Sequence, residues 1–272
     1  MSNVRISFLG TGAGNCIYRA HTAIVLDWDS GMRVLLDAGS GNSALKNGAE
    51  LGILAQDLHH VLLTHQHGDH MGGLPHIQGQ RTMIAPHALP LQVYASEQAL
   101  ERVQRLFWAT SVTHWVDEEG VTTADGRKVV SWYPSQANEW IDLPKGVRAF
   151  CFPVDHIPGA MGWRVESDGV SVVFSGDTRF YPQMAEAAQG ASVLIHEVLS
   201  TDSDKEGAKR RGHSTAAEAA QIAAEAGVAQ LIITHIDSPF HLDPQPLVDE
   251  AQKYFDGLIS VASDLYQVTI GS

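Results

Sequence analysis

Cysteine is almost missing from this chain. Only Cys16 and Cys151 occur among 272 residues. Two thiols make no disulfide framework, and neither stands in a ligand-like motif, so covalent staples and cysteine-based metal knots are excluded. Cys151 lies in an apolar run and reads as buried filler rather than nucleophile. No stretch of 18 unbroken apolar residues appears, so no membrane-spanning helix is expected. The opening Met1-Ser2-Asn3-Val4-Arg5 has no signal-peptide profile, and with the two free thiols it points to a reducing, cytoplasmic setting. Positive charge is also scarce: Lys and Arg total 18 against 31 Asp and Glu, a formal net charge of -13. Proteins that grip a polyanion usually show a basic patch. The one basic cluster, at 205–211, reads as a solvated loop rather than a phosphate clamp. Nucleic acid is therefore disfavoured as a partner, and a small molecule is expected instead.

What is present suffices for a sizeable core, since 44% of the residues are hydrophobic. The expectation is one domain over 1–272, built of two similar halves. Apolar runs at 6–9, 23–28, 33–36 and 58–63 read as strands, with a hairpin turn at 29–32. A second series follows at 147–154, 161–166, 170–174, 193–196, 230–234 and 258–261. Helical spacing is clear at 97–108, where Leu100, Val103, Leu106 and Phe107 share a face. It recurs at 215–226, where Thr215 and Glu218 form a capping box. Strands with helices between them indicate an α/β fold of two sheets flanked by helices. The stretch 112–145, with Trp115, Trp132, Tyr133 and Trp140 among polar residues, reads as either a peripheral insert or an aromatic wall over the active site.

The decisive feature is the run Thr64-His65-Gln66-His67-Gly68-Asp69-His70 after the fourth apolar run. Imidazole and carboxylate are the ordinary ligands of zinc-like ions. His65 and His67, two apart in extended chain, project the same way and can grip one ion. If His70 opens a helix, Asp69 and His70 point elsewhere and can serve a second ion. Three more apolar runs end on the same residue types: at Asp155-His156, at Ser175-Gly176-Asp177 and at Thr234-His235. One such ending means little, but four that all bear hard or borderline ligands point to metal-dependent hydrolysis. Gly10-Thr11-Gly12-Ala13-Gly14 fits a tight turn beside the active site better than a dinucleotide loop, because no helix opens after it.

With these residues the chain resembles the metallo-β-lactamase superfamily, whose histidine-x-histidine-x-aspartate-histidine signature matches His65, His67, Asp69 and His70. The resemblance spans nearly the whole chain and implies an αββα four-layer sandwich. It also implies that His65, His67 and His156 hold one divalent ion, that Asp69, His70 and His235 hold another, and that Asp177 bridges them with a shared hydroxide. Zinc is the default for this donor set, with manganese or iron compatible. Phe8-Leu9-Gly10-Thr11-Gly12, Leu36-Asp37-Ala38-Gly39, Ile195-His196-Glu197 and Gly212-His213-Ser214-Thr215-Ala216 look most like the tRNase Z branch. That branch implies catalytic assistance from Glu197 and His213, with Asp69 as a further catalytic candidate, and a homodimer. Because it also holds arylsulfatase-like and small-molecule phosphodiesterase members, the expected activity is hydrolysis of a small or aryl phosphodiester. Sulfate-ester, carbonyl and tRNA 3′-end cleavage are the alternatives, the last disfavoured by acidity and by the lack of a recognisable basic arm. Asp37 reads as a support for a metal ligand or as a plain strand end.

Overall fold

The computed structural model describes residues 3–110 and 114–271. Val112, where the 112–145 segment opens, and the first two residues of the chain lie outside the described residues.

Among the described residues, sixteen strands form two mixed sheets. The first, in spatial order, runs Gln267–Gly271, Asn3–Gly10, Ala23–Trp28, Arg33–Leu36, His60–Leu62, Leu91–Ala95, Lys128–Pro134, Gly120–Thr123 and His114–Val116. The second runs Leu258–Val261, Gln230–Thr234, Val193–Glu197, Val170–Phe174, Met161–Ser167, Arg148–Pro153 and Glu139–Asp142. In each, an antiparallel meander leads into a parallel block. Arg33–Leu36, His60–Leu62, Leu91–Ala95 and Lys128–Pro134 are parallel in the first. Val170–Phe174, Val193–Glu197, Gln230–Thr234 and Leu258–Val261 are parallel in the second.

Side-chain alternation explains the layering. Val34 and Leu36 point between the sheets with Ile6, Phe8, Trp163 and Val172, while Leu35 faces outward to the helices with Val61 and Val93. Both faces of these strands are covered, so the runs are apolar throughout instead of alternating. Leu74–Ile84 and Glu97–Thr110 pack on the outer face of the first sheet. Met184–Ala188, Ala216–Ala226 and Gln245–Ala251 cover the second. The result is the αββα sandwich expected from the sequence.

Ala216–Ala226 begins where the capping box places it: Thr215 accepts from the Glu218 amide, and the Glu218 carboxylate accepts from the Thr215 amide at 3.1 Å. Its alanines let the backbone lie close on the sheet. The 205–211 segment departs from expectation, because Lys205–Arg211 is a helix. Gly212 closes it in the left-handed conformation (φ 92°), His213 donates its amide to the Ala208 carbonyl, and Arg211 pairs with Asp204. Tertiary ties of this kind override charge density in a short segment. Within 114–145, Trp132 packs on Phe107, Tyr133 stacks on Tyr94, and Trp140 lies under the Arg148 guanidinium. Among the described residues no helix is long and apolar enough to cross a membrane.

Candidate metal centre

Parallel strands present their carboxyl ends at one edge, where open sheets of this kind place their sites. Arg33–Leu36 delivers Asp37 there and His60–Leu62 leads to Thr64 and His65. On the second sheet, Val170–Phe174 leads to Asp177, Val193–Glu197 ends on Glu197, and Gln230–Thr234 hands over to His235. The antiparallel Arg148–Pro153 adds His156 from the side. Two of these residues, Asp37 (φ 54°) and His235 (φ 59°), adopt the left-handed conformation without being glycine. Such backbone is strained and gathers where side-chain placement matters more than comfort. Gly176 is also left-handed, and a Cβ there would sit 2.8 Å from the Thr64 Cβ, so the turn before Asp177 requires glycine.

All seven sequence-derived ligand candidates converge. His65, His67, His156 and Asp177 form one group and Asp69, His70, Asp177 and His235 another, with ligand atoms in each within 4.8 Å of one another. His67 Nδ1 lies 3.1 Å from His65 Nε2 and 3.2 Å from His156 Nε2. Asp177 Oδ2 lies 3.3 Å from both His70 Nε2 and His235 Nε2, 3.7 Å from His65 Nε2 and 3.8 Å from His156 Nε2. One carboxylate oxygen therefore faces both groups. Gly68–Met71 is a short helix, which turns Asp69 and His70 away from His65 and His67.

The donor set tests whether metal fits. His70 Nε2, His235 Nε2 and Asp177 Oδ1 are buried with no hydrogen-bond partner. Unsatisfied buried polar atoms cost about 1–3 kcal/mol each, more when charged, so a cluster of them marks a place for a cation. On His70, His156 and His65 the other ring nitrogen is already committed. His70 Nδ1 donates to Asp37 Oδ2 at 2.7 Å and His156 Nδ1 to the Gly212 carbonyl at 2.8 Å. Thr64 Oγ1 donates to Asp37 at 2.8 Å, so it accepts from His65 Nδ1 at 3.0 Å. These bonds fix the tautomers that leave Nε2 free to ligate. Burial pushes His65, His67 and His156 below the ordinary imidazole range, which favours the neutral, ligating form. Burial opposes ionisation of Asp177, but His235 and His70 outweigh it and hold the carboxyl well below its usual range. This donor set fits a dinuclear metal site.

Glu197 and His213 stand beside it. His213 Nδ1 donates to Glu197 Oε1 at 3.0 Å and lies 4.0 Å from Asp177 Oδ2. The same Glu197 oxygen accepts the Thr178 and Ser214 amides at 3.0 and 3.2 Å. Burial lowers the His213 pKa, but Glu197 raises it more, to about 9. Glu197, His213 and His235 are also close enough to hold an ion, but the bonds to Glu197 Oε1 suit orientation of His213 better than ligation.

The centre opens into a cavity of about 280 Å³ lined by Gly14, Asn15, Asp69, Arg211, His213 and Asp237, among others. A Cβ on Gly14 would fall 2.9 Å from Asp69 Oδ2, so the glycine-rich turn is shaped by the site, as the sequence suggested. Asp37 proves to support a ligand. Sequence reasoning missed Thr64 and the Gly212 carbonyl, which brace His65 and His156. It also left out His21, whose Nδ1 meets Ser40 Oγ at 2.6 Å and whose pKa is lowered by burial against the pull of Asp69. Thr64 adjoins the metal motif and so carried a signal, whereas a backbone carbonyl has none.

A family model described as a beta-lactamase superfamily domain matches residues 32–236. The chain belongs to the metallo-β-lactamase superfamily. Within this superfamily its relatives include ribonuclease Z of Brevibacillus brevis, 32% identical over 97% of this chain and 96% of that one. Ribonuclease Z of Mycobacterium marinum is 31% identical over 98% of this chain and 99% of that one. The metallo-β-lactamase fold protein YhfI of Bacillus subtilis superposes with a TM-score of 0.80 at 19% identity, covering 98% of this chain and 99% of that one. Human tRNase Z, short form, gives 0.74 at 22%, covering 98% and 100%. At those identities the superpositions speak for the fold alone. The metallo-β-lactamase chain described here is thus ribonuclease Z-like and a metal-dependent hydrolase.

The relatives overturn one expectation. Nucleic acid was disfavoured as a partner because the chain is acidic, yet the sequence relatives that match it end to end are named ribonucleases. The physical error lay in using a whole-chain sum. A formal charge of -13 omits two divalent ions, and bound ions are often the largest local charges in a site. It also hides Arg211 and His213 at the cavity.

Proposed function

We propose that this chain is a phosphodiesterase acting on RNA, in the manner of ribonuclease Z, with a 3′-extended tRNA precursor as its substrate class. The observation that carries phosphodiester cleavage is the Glu197–His213 pair, held 4.0 Å from Asp177 Oδ2 at the cavity. The Glu197 carboxylate outweighs burial at His213 and favours a proton on this ring. Such a proton serves a leaving alkoxide. The RNA comes from the sequence relatives, and they favour it over the small or aryl diester expected from acidity.

His65, His67 and His156 would hold one ion and Asp69, His70 and His235 the other, with Asp177 between. Five imidazoles and two carboxylates suit zinc. Two bound divalent ions would supply an ionised water near neutrality and positive charge against the scissile phosphate oxygens. Glu197 orients His213 through Nδ1, which leaves Nε2 to hold the proton passed to the leaving oxygen. Arg211 places a guanidinium at the mouth for a non-bridging oxygen. The 114–145 strands extend the two sheets rather than wall the cavity, which the partners of Trp132, Tyr133 and Trp140 support.

The test is cleavage of a tRNA precursor with a 3′ trailer by zinc-analysed protein, run beside bis(p-nitrophenyl) phosphate. Endonucleolytic release of the trailer is expected. His213→Ala should lower turnover by about 10²- to 10⁴-fold, the usual worth of a positioned acid or base, at unchanged metal content. Hydrolysis of the small diester with no cleavage of precursor would overturn the RNA reading. Full activity in His213→Ala would remove the role given to that residue.

A further inference from the structure

Two loops leave the cavity side by side, and both carry apolar side chains into solvent. The first passes from Gly14 and Asn15, which line the cavity, to Ile17 and Tyr18, which are 82% and 61% exposed. The second passes from Asp237, also in the lining, to Leu242, which is 91% exposed. They are tied together. Ala13 donates its amide to the Ile236 carbonyl at 3.1 Å, Ile236 donates to the Thr11 carbonyl at 2.8 Å, and Arg19 Nη2 donates to the His241 carbonyl at 3.3 Å. The Tyr18 ring stacks on His241, with centroids 4.9 Å apart and planes 15° apart. One face of Tyr18 is thus fixed by an imidazole, and its exposure leaves the other open. Neither loop end buries these groups in the core of its own sheet.

We propose that Tyr18, backed by His241 and flanked by Ile17 and Leu242, is a stacking shelf for an unpaired nucleobase beside the scissile phosphate of the RNA substrate. The inference rests on the RNA reading above. A flat aromatic stiffened from behind suits base stacking, which tolerates any base because every base offers a π face. Position supports it as well. Tyr18 is three residues from Asn15, so its Cα lies within about 11 Å of a residue lining the cavity, the reach of a nucleotide or two. A second copy of this chain is the rival occupant. Stable interfaces bury about 800 Å² per partner, whereas an aromatic side chain offers roughly 150–250 Å², so three side chains fall short. The loops also lead straight out of the reaction cavity, where a dimer contact would obstruct the substrate.

The test uses full-length, zinc-loaded protein and short 3′-trailer RNAs with a single abasic residue at each position flanking the cut. In the wild-type protein, one abasic position should raise KM about tenfold, the worth of one stacked base, with kcat changed less than twofold. Tyr18→Ala should raise KM for the intact RNA by a similar factor and make the protein indifferent to that abasic position, while Tyr18→Phe restores the wild-type pattern. Equal abasic penalties in the wild type and Tyr18→Ala would overturn the shelf while leaving RNA cleavage intact. Failure of the wild type to cut any of these RNAs would remove the RNA reading and the shelf with it. Sedimentation distinguishes the rival: a wild-type dimer that becomes monomeric in Tyr18→Ala, with no abasic coupling, would assign the patch to self-association.

Discussion

The two metal pockets share Asp177 and are otherwise built by different means. The pocket of His65, His67 and His156 is all imidazole and is braced by neutral groups, the Thr64 hydroxyl and the Gly212 carbonyl. The pocket of Asp69, His70 and His235 carries a carboxylate of its own and is braced by another, since Asp37 bonds the fully buried His70. Burial holds the first three histidines down, while His70 is held well above its ordinary value despite burial, because Asp177 and Asp37 outweigh it. The second pocket therefore concentrates negative charge and should hold its ion more by electrostatics. The first should depend more on ring orientation. Asp37 joins the two, because its Oδ2 accepts from both His70 and Thr64, and Thr64 in turn accepts from His65.

Removing the shared wall breaks the comparison outright. Asp177→Ala deletes the carboxylate that faces both ligand groups and should reduce bound metal to one ion per chain or less. Activity should fall by at least about 10³-fold, since both the nucleophile and charge stabilisation depend on the ion pair. Elemental analysis and turnover on the same preparation check this, and two retained ions would refute the bridge. A smaller change separates the pockets. Asp37→Asn keeps a residue that tolerates left-handed backbone but removes the charge behind His70. Loss of such outer support costs roughly 10- to 100-fold in metal affinity, and it should fall mainly on the second pocket. Zinc competition with a chelator would then show one weakened step and one nearly unchanged step. Equal weakening of both would mean that Asp37 acts through the Thr64 relay as much as through His70.

The same contrast shows what the sequence could convey. Ligands are restricted to few residue types, and four of them fall within His65–His70 after an apolar strand, so their chemistry is legible in a line of text. His156, Asp177 and His235 are legible for a related reason, as polar residues where apolar strands end. The αββα layering follows from apolar runs covered on both faces. The braces are harder to read. A carbonyl such as that of Gly212 looks like any other until the helix Lys205–Arg211 sets its position, and that helix is itself hidden because its charged residues look like a loop. Net charge misled for the same reason: it is a sum over the surface, while a substrate meets a local field. Exposed Ile17 and Tyr18 leave no periodic trace, since no packing partner dictates their spacing.

Thr64→Val is the finest way to sharpen the comparison. It keeps the shape of a buried side chain and removes the hydroxyl linking Asp37 to His65. His70 retains its direct bond of 2.7 Å to Asp37, so the second pocket should bind its ion as before. His65 Nδ1 loses its acceptor, and a buried polar group left without a partner costs about 1–3 kcal/mol. The ring can lower that cost by moving its proton to Nε2, the nitrogen that ligates, and each such shift removes a donor from the first ion. The expected result is a several-fold loss of affinity at the first pocket alone and a melting temperature lower by a few degrees without added zinc. Excess zinc should recover much of the stability, because an ion bound only to the folded chain stabilises it by mass action. Unchanged affinity at both pockets would show that packing alone orients His65, and that the two pockets are joined only through Asp177.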